Sequence, residues 1–544
     1  MAIAPTRRDF VAMLLGAPVA AACRSSGAGT PPGELIATGA ARGHSLLRGL
    51  APGSSADGSS GPGSPGRDAR PSPLDGTRTH DVVVVGGGVA GLAAAWELRR
   101  RGVRDLVVFE LDDVAGGTAR GGTSPITAYP WGAHYIVSPH KEQRDLIALL
   151  EDLGAIEGHH KDGTPIASEA LRCRELEERV FFRGRWYEGL YLEAGATADD
   201  HAQLERFRRE VAKWATFVDD DGRHAFALPS SAASALPELR ALDDLTFGAW
   251  LDRHQITSER LRWLCDYACR DDYALLAADT SAWAGLFYYA SRRSGATGRD
   301  YRSVLTWPDG NATLAAHLAR GLAIETGVTV TRITEDGALT CVGRDGPFGV
   351  RANHVVVAVP GFVADRIVVA PERPALPADY GAWAVANLHL RARPREAPGA
   401  PPAWDSVFYG SKSLGYVSAT HQAGRDRGPT VWTWFYPFTE AGADARKQVI
   451  GAGQAEWAEA VLADLEPAHR DLRGLVERID VAFWGHGMVR PRAGSMFHPA
   501  RPARLLPRGR LHFAHTDLSG IALFEEAFDH GLRAAREIAA ARGA

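Results

Sequence analysis

Residues 79–117 read THDVVVVGGGVAGLAAAWELRRRGVRDLVVFELDDVAGG, and the rest of the chain is organised around them. The four valines Val82–Val85 are typical of a strand that is buried on both faces, as in a parallel sheet. The glycines that follow form a G-x-G-x-x-G motif. In such a motif Gly86 permits a tight turn, Gly88 lets the backbone approach a pyrophosphate, and Gly91 lets a helix pack on the strand.

The stretch continues with a helix and a second strand. Residues 92–101 predict a helix with basic residues in its last turn, which the helix macrodipole favours. The first turn, with Val89 and Ala90, offers free N–H groups to a diphosphate. The second strand, residues 105–109, ends at Glu110, whose carboxylate can accept both hydroxyls of a ribose. This order of elements predicts a dinucleotide site, and the acidic Glu110 disfavours NADP.

Composition excludes several other classes of protein. The chain has 544 residues, enough for a large core and at least two domains. Its 61 basic and 65 acidic residues give a formal net charge of −4, which argues against nucleic acid as the main partner. Cys265 and Cys269 are spaced as neighbours on one helix face. No other Cys or His nearby falls at zinc spacing, so no metal site is predicted.

The first residues predict an export signal over residues 1–23. Arg7 and Arg8 lie in a segment that resembles the twin-arginine motif, and the apolar stretch 10–22 is too short to span a bilayer. Cys23 follows three alanines, so two outcomes stay open: acylation of Cys23 as a lipoprotein, or simple cleavage after an A-x-A site. The twin-arginine export machinery is therefore an expected partner, and the expected location is periplasmic or membrane-anchored.

Residues 24–78 are rich in Gly, Ser, Pro and Ala. Such a composition buries too little apolar surface to fold, which predicts a flexible, disordered tether between the signal and the glycine motif.

A second glycine pair, Gly116-Gly117, follows Glu110 after five residues. The combined pattern resembles the FAD-binding signature of the flavin-containing amine oxidase superfamily, which also includes phytoene desaturases and protoporphyrinogen oxidases. The resemblance implies that Thr118, which stands where the family usually has an arginine, lies near the diphosphate. Arg120 comes two residues later.

Further segments extend the resemblance toward the flavin ring and the adenine. Residues 129–136 resemble the family segment that passes the isoalloxazine ring, where the small residues Gly132 and Ala133 would allow a close approach. His134 follows them as a candidate titrating group, with a purely packed histidine as the alternative. Residues 328–333 resemble the strand whose backbone reads the adenine edge, a role that falls on Val330.

The C-terminal segment is the second strong match. A strand ends at Asp517, which the resemblance places at the ribityl or diphosphate region. A final helix then begins, and Ala527 and Phe528 would lie at its N-terminus against flavin O2. The usual Gly and Ser of this segment are Glu526 and His530. No cysteine lies nearby, so FAD is expected to be noncovalent.

Residues 380–440 are rich in strand patterns and resemble the antiparallel sheet beneath the substrate site. Many amine oxidases carry a flavin-proximal lysine in the first of these strands, and Asn387 is the predicted counterpart here. Trp434 and Trp484 are predicted to line the site as aromatic walls. Phe408, Tyr409 and Tyr436 are further candidates for this wall, and their rings could hold an amine by cation–π contacts.

The predicted fold class is α/β. A discontinuous Rossmann-like FAD domain of the glutathione-reductase type would comprise residues 79–160, 300–370 and 475–544. An α+β substrate domain with an antiparallel sheet would comprise residues 161–299 and 371–474.

The resemblance implies an exported FAD-dependent oxidoreductase that oxidises a small-molecule amine by hydride transfer to the flavin, with dioxygen or a quinone as acceptor. Two alternatives stay open. One is a desaturase or dehydrogenase that acts on an apolar substrate and uses a non-oxygen acceptor. The other is a FAD-binding electron-transfer or interaction module without turnover, which the divergent Asn387, Glu526 and His530 favour.

The export signal can be tested by replacing both of its arginines with lysine. We expect Arg7→Lys with Arg8→Lys to leave the protein in the cytoplasm, because the twin-arginine pair is the recognised feature. Cell fractionation would measure this, with Arg48→Lys as the matched control. Unchanged export of the double variant would contradict the prediction.

Overall fold

The computed structural model describes residues 29–36, 39, 42–44, 77–292, 304–370, 373–396, 400–440 and 451–543. The predicted export signal, residues 1–23, lies outside these ranges. The strands are β1 Leu35–Ile36, β2 Arg78–Val85, β3 Leu106–Glu110, β4 Gly121–Thr123, β5 Ala128–Pro130, β6 Ile136–Val137, β7 Ile156–His159, β8 Pro165–Ala167, β9 Glu178–Phe182, β10 Arg185–Glu188, β11 Val304–Leu305, β12 Ala323–Thr326, β13 Thr329–Thr334, β14 Ala338–Gly343, β15 Gly346–Val357, β16 Val368–Val369, β17 Tyr380–Leu390, β18 Asp405–Phe408, β19 Tyr416–Ser418, β20 Thr430–Phe438, β21 Val476–Val489 and β22 Leu511–Phe513. The α-helices are α1 Val89–Arg100, α2 Arg144–Asp152, α3 Ala198–Thr216, α4 Pro237–Arg240, α5 Phe247–Arg253, α6 Glu259–Tyr273, α7 Ala282–Ala290, α8 Ala312–Ala319, α9 Gly361–Ile367, α10 Gln454–Leu465, α11 Ala500–Leu505 and α12 Phe524–Ala541.

The first sheet contains the glycine motif. Its strands follow the order β12-β3-β2-β15-β14-β13-β16, and β22 also pairs with β15. Neighbouring strands among β12, β3, β2, β15 and β22 run parallel. Val82 and Val84 pack against α1 and α12, whereas Val83 and Val85 pack against β13, β14 and α9. The valine run is therefore buried on both faces, as its sequence predicts.

The second sheet is mostly antiparallel and follows the order β1-β21-β17-β20-β19-β18-β9-β10. Strand β17 lies between β21 and β20 and is buried along its whole length. One face of β17 and β20 packs against α10, and the other faces the loop around β5 and the helix α6. This sheet confirms the predicted α+β second domain.

The predicted domain boundary near residue 475 is wrong. The prediction places residues 475–544 in the FAD domain, but β21 pairs with β17 along most of its length in the second sheet. The third segment of the FAD domain therefore begins only after β21. The segment around Trp484 still lies beside that domain, because the C-terminal half of β21 reaches the boundary between the two sheets.

The predicted tether is also wrong for part of residues 24–78. Leu35 and Ile36 form a parallel strand on the edge of β21, and the backbone N–H of Glu34 donates to Asp480 at 2.9 Å. Arg42 donates to the Leu111 carbonyl at 2.6 Å, just after β3. Composition predicted disorder here, but a short segment can order on the unpaired edge of a sheet.

Helices α3, α5, α6 and α7 form a third cluster beside the second sheet. Phe207, Phe247, Trp250 and Trp283 are buried in its core, so these aromatics are structural. In the part of the chain that the structure describes, no helix combines the length and the apolar character that crossing a membrane requires.

Candidate active site

The turn after β2 brings helix α1 very close to the strand. Gly86 has φ +105° and its N–H donates to the Phe109 carbonyl at 2.8 Å. A Cβ on Gly91 would lie 1.9 Å from the Gly86 carbonyl oxygen. Only glycine fits at this contact, so the helix N-terminus is held directly over the end of β2.

Two glycine-rich turns meet at the start of α1. The N–H of Gly116 donates to the Gly87 carbonyl at 2.8 Å, and Gly116 and Gly117 have φ of +122° and +58°. A Cβ on Gly88 would meet no atom within 4 Å. The backbone of Gly88 therefore faces open space at the helix N-terminus, which fits a bound diphosphate.

Glu110 stands at the carboxyl end of β3 beside this turn. Its carboxylate accepts from the N–H of Gly87 at 2.6 Å and from the N–H of Asp112 at 2.8 Å. Burial raises the pKa of Glu110. The Glu110 carbonyl accepts from the N–H of Val328 at 2.9 Å, which brings β13 and Val330 next to it. The residues predicted for the ribose and the adenine thus lie close together, although β3 and β13 are not paired in the sheet.

A cavity between the two sheets occupies the position predicted for the flavin ring, and we call it the flavin cavity. One wall comes from the loop after β5 and from α8, and the opposite wall from β17, β20 and β21. The N-terminal end of α12 closes a third side. The residues that form these walls are Thr118, Gly132, Ala133, His134, Asn311, Trp383, Val385, Phe435, Trp484, Met488, Ala522, Leu523, Phe524 and Glu525.

Two polar atoms in this wall suit a bound flavin. The indole Nε1 of Trp383 and the amide Oδ1 of Asn311 are buried and have no hydrogen-bond partner among the described residues. An unpaired buried donor and acceptor are costly unless a ligand pairs them. Trp484 donates to the Trp131 carbonyl at 2.7 Å, and the Arg120 guanidinium lies 4.9 Å from the centre of its ring. These residues fit the polar and aromatic character of an isoalloxazine ring.

His134 lies on the wall of the flavin cavity, where its ring stacks on Phe435 with centroids 4.7 Å apart. Burial lowers the pKa of His134 to about 4. The imidazole is therefore neutral at pH 7 and a poor proton acceptor.

The N-terminus of α12 is three residues earlier than predicted. The helix begins at Phe524, and Leu523 to Glu525 face the flavin cavity. Ala527 and Phe528 lie one turn further on, where Phe528 packs against Trp96 and Phe524. Ala527 and Phe528 do not line the flavin cavity, and their contact with flavin O2 stays a prediction.

Asp517 follows β22 and lies next to the carboxyl end of β15. Its carboxylate accepts from the Gly361 N–H at 2.6 Å and from the Tyr380 hydroxyl at 2.5 Å. Burial opposes ionisation, but His515, Tyr380 and the Gly361 amide together lower the pKa of Asp517 to about 2. Asp517 does not line the flavin cavity. Its contact with the diphosphate or ribityl chain stays a prediction.

Asn387 and Trp434 do not line the flavin cavity either. Asn387 is fully buried, where its amide donates to the Pro130 carbonyl at 3.0 Å and accepts from Thr433 at 2.7 Å. Trp434 faces α10 and donates to Asp464 at 2.8 Å. Both side chains are used in packing the second sheet, so their predicted catalytic roles are not supported by their positions.

On β17 and β20, the residues that line the flavin cavity lie close in sequence to the predicted Asn387 and Trp434. Trp383 and Val385 precede Asn387 on the same face of β17, and Phe435 follows Trp434 on the opposite face of β20. Of the predicted aromatic wall, only Trp484 lines the cavity. Strand alternation could have identified the two faces of β20, but not which face meets the cofactor.

A second cavity of about 620 Å³ adjoins the first, and we call it the acidic cavity. The two cavities share His134, Tyr135, Val137, Asp271 and Arg292 as common wall. Its volume lies in the range of ligand sites. The sequence pattern did not predict this cavity, because its lining comes from distant segments of the chain.

Six carboxylates line the acidic cavity, and none of them has an ion-pair partner among the described residues: Glu169, Glu175, Glu177, Glu178, Asp271 and Asp405. Glu169 and Glu175 are exposed, whereas the other four are buried or half-buried. Burial, together with the charge of Glu175, raises the pKa of Glu177 to about 7. Burial raises the pKa of Asp405 to about 8, against a hydrogen bond from Tyr267 at 2.9 Å. A cation in the cavity would favour the ionised form of these groups.

Comparison with known proteins gives a family match over most of the chain. The family model of flavin-containing amine oxidoreductases matches residues 89–539. The Mycobacterium tuberculosis protein AofH, whose name describes it as a flavin-containing monoamine oxidase, is 28% identical over 352 residues, which cover 62% of this chain and 68% of that protein.

Solved structures show the same fold at low sequence identity. Putrescine oxidase bound to putrescine is 19% identical, with a TM-score of 0.62 over 85% of this chain and 100% of the other. Cyclohexylamine oxidase from Brevibacterium oxydans is 18% identical, with a TM-score of 0.59 over 86% of this chain and 100% of the other.

The second and third glycines of the motif, Gly88 and Gly91, provide a matched pair of variants. We expect Gly91→Ala to destabilise the flavin-free protein by about 1–3 kcal/mol or more, because its Cβ would overlap the Gly86 carbonyl. Gly88→Ala should leave that stability unchanged within about 0.5 kcal/mol, since its Cβ enters open space, yet weaken FAD binding.

Urea unfolding of the flavin-free protein and fluorescence titration with FAD would separate the two effects. Unchanged FAD affinity in Gly88→Ala would contradict the assignment of the diphosphate to this turn.

Proposed function

The chain belongs to the flavin-containing amine oxidoreductase family, and on that premise we propose that it oxidises an amine that enters the site as a cation. The family makes the chain a FAD-dependent oxidoreductase. The observation that carries the substrate proposal is the acidic cavity, whose unpaired carboxylates adjoin the flavin cavity.

The electrostatics of the acidic cavity favour an organic cation. Glu177, Glu178 and Asp405 line only this cavity, and burial without a counter-ion makes their ionised forms costly. A bound ammonium would offset that cost for several carboxylates at once. The described residues form no cluster that could hold a metal ion, so the partner that fits is an organic amine.

The arginines of the same cavity do not neutralise these carboxylates. Arg292 is engaged by Asp272 at 2.5 Å, and Arg174 donates to the His421 carbonyl at 2.8 Å. Arg172 is exposed, so solvent screens its charge. Arg208, the fourth arginine of the cavity, donates to the Glu205 carboxylate at 2.8 Å. The interior of the cavity thus retains an excess of carboxylates over free cations.

Bound FAD supplies the hydride acceptor for the oxidation. The protein contributes the orientation of the substrate and the exclusion of water. The aromatic rings of Trp383, Phe435 and Trp484 enclose the reacting end, and the acidic cavity holds the rest of the substrate.

The electron acceptor is proposed to be a quinone as well as dioxygen. Support comes from β17, the strand on which the family resemblance places a flavin-proximal lysine with Asn387 as its counterpart; here this strand presents Trp383 and Val385 to the flavin cavity. None of the described residues that line the flavin cavity is a lysine. Assistance by such a side chain in the reaction with dioxygen is therefore missing from this wall.

We further propose export by the twin-arginine route, with an anchor at Cys23 as one outcome. The support is the Arg7-Arg8 pair and the apolar segment that follows it.

The substrate class can be tested by anaerobic reduction of the bound flavin. We expect amines, and not matched alcohols or fatty acids, to bleach the flavin absorbance. Glu178→Gln should raise the Kd of the best amine about 10- to 100-fold, because a buried charged contact contributes about 1.5–3 kcal/mol.

Glu169→Gln is the matched control, since Glu169 lines the same cavity but is exposed. We expect its Kd to change less than about threefold, because solvent screens an exposed charge. Faster reduction by an uncharged substrate, or an unchanged Kd in Glu178→Gln, would count against the proposal. Parallel assays with dioxygen and a quinone dye would identify the acceptor.

A further inference from the structure

Two adjacent carboxylates at the end of α6 lie in opposite environments. Asp272 is buried and forms an ion pair with Arg292 at 2.5 Å. Asp271 is only half-buried and has no ion pair among the described residues; the Tyr135 hydroxyl donates to it at 3.3 Å. Pairs of carboxyl groups in such contrasting environments often divide structural and acid–base roles.

Asp271 is also the one carboxylate of the acidic cavity that reaches the wall shared with the flavin cavity. Glu177, Glu178 and Asp405 line only the acidic cavity, whereas Asp271 lines both. The part of a substrate that reacts at the flavin must pass this shared wall. Asp272 and Glu525 also line the flavin cavity, but of the carboxylates described there only Asp271 borders both cavities, so it is the best placed to meet the reacting nitrogen.

The remaining charged groups around Asp271 leave its carboxylate available. From α6, Asp272 raises its pKa and Arg270, which donates to the Ser411 carbonyl at 2.8 Å, lowers it. From beyond α7, Arg292 lowers the pKa, but its guanidinium is paired with Asp272 and donates to the Tyr135 hydroxyl at 3.2 Å. Burial is the largest effect and raises the pKa of Asp271.

The other neighbours are phenols and carboxyl groups. Burial keeps the pKa of Tyr135, Tyr267 and Tyr288 well above 10, so these phenols stay protonated. Asp405 and Glu178 face Asp271 across the acidic cavity and disfavour a further negative charge. The hydrogen bond from Tyr135 lowers the pKa of Asp271, but burial and the neighbouring Asp272 raise it, so Asp271 is a better proton acceptor than an ordinary carboxylate.

Amine oxidation requires a proton acceptor at this place. An alkylammonium has a pKa near that of lysine, about 10, so it arrives protonated at neutral pH. Its nitrogen must carry a free electron pair before a hydride can leave the adjacent carbon. His134 on the same wall is a poor acceptor, because burial lowers its pKa to about 4.

We propose that Asp271 is the catalytic base that removes a proton from the bound ammonium before oxidation, an inference that rests on the proposed amine oxidase function. One N–H bond of the R–CH₂–NH₃⁺ group breaks, its electron pair stays on nitrogen, and the proton moves to a carboxylate oxygen of Asp271. The products are a neutral amine and a neutral carboxyl group. In a water-poor cavity this neutral pair avoids the desolvation cost of the ion pair.

The variant Asp271→Asn tests this role through the pH profile of flavin reduction. In the wild type, the ratio of the flavin reduction rate to Kd should increase as the pH rises through the pKa of Asp271, which lies well below the pKa of the amine. In Asp271→Asn only the neutral amine is productive, so this ratio should fall about 100- to 1,000-fold at pH 7 and recover as the pH approaches about 10. Asp271→Glu should restore part of the activity at pH 7.

Glu238→Gln is the control, because Glu238 is exposed and lines neither cavity, and its acid limb should stay at the wild-type position. Calorimetric binding of tert-butylamine, which has no C–H bond on the carbon that bears nitrogen, provides a readout without turnover. We expect at least tenfold weaker binding to Asp271→Asn at pH 7. An acid limb in Asp271→Asn that coincides with the wild-type limb would overturn the proposal.

A second measurement needs no variant. With the wild-type holoenzyme and a series of amines of different pKa, the acid limb should stay at one pH if Asp271 sets it. A limb that moves with the pKa of each amine would refute the assignment to Asp271 while leaving amine oxidation intact. Failure of every amine to reduce the flavin at any pH would instead overturn the proposed function itself.

Discussion

The contact between the Gly86 carbonyl and the first turn of α1 fixes the position of most of the site. Because Gly91 has no side chain, α1 starts directly over the end of β2. Helix α12 then packs on α1 through a second close contact, where a Cβ on Gly531 would lie 2.4 Å from the Ala90 carbonyl oxygen. Glycine within a helix costs about 1 kcal/mol relative to alanine, but only glycine allows the backbones to approach this closely at the two contacts. The N-terminus of α12 reaches the flavin cavity as a result.

The two cavities divide the work of the enzyme. Backbone groups and aromatic rings dominate the flavin cavity, which suits a flat cofactor that must be positioned. Six carboxylates line the acidic cavity, and in the proposed function they favour a substrate that carries a positive charge. Under that proposal the segment around β9 and β18 selects the substrate by charge, and the strands β17, β20 and β21 orient its reacting carbon.

The sequence predicted the parts of the site that depend on local backbone geometry. The glycines at 86, 88 and 91 and the acidic end of β3 at Glu110 lie within one βαβ unit, so their spacing alone determines their arrangement. Gly132, Ala133 and His134, which were predicted from the family resemblance, line the flavin cavity. Asn387 and Trp434 do not line it, because alternation along a strand defines two faces without showing which residues of a face border a cavity.

The acidic cavity could not have been read from any local pattern. Glu178, Asp271 and Asp405 come from β9, α6 and β18, and their proximity depends on the parallel pairing of β9 with β18 and on how α6 packs against them. The N-terminal strand was missed for a related reason. Two residues, Leu35 and Ile36, form it only because β21 offers an unpaired edge.

That strand limits how far the enzyme could stand from a membrane. A lipid on Cys23 would be followed by only a few residues before the chain reaches its described course at Gly29. Six extended residues span at most about 20 Å, less than the thickness of a small domain. With the proposed lipid anchor on Cys23, Gly29 would lie within about 20 Å of the membrane surface, so the β1 edge of the second sheet would stay near it.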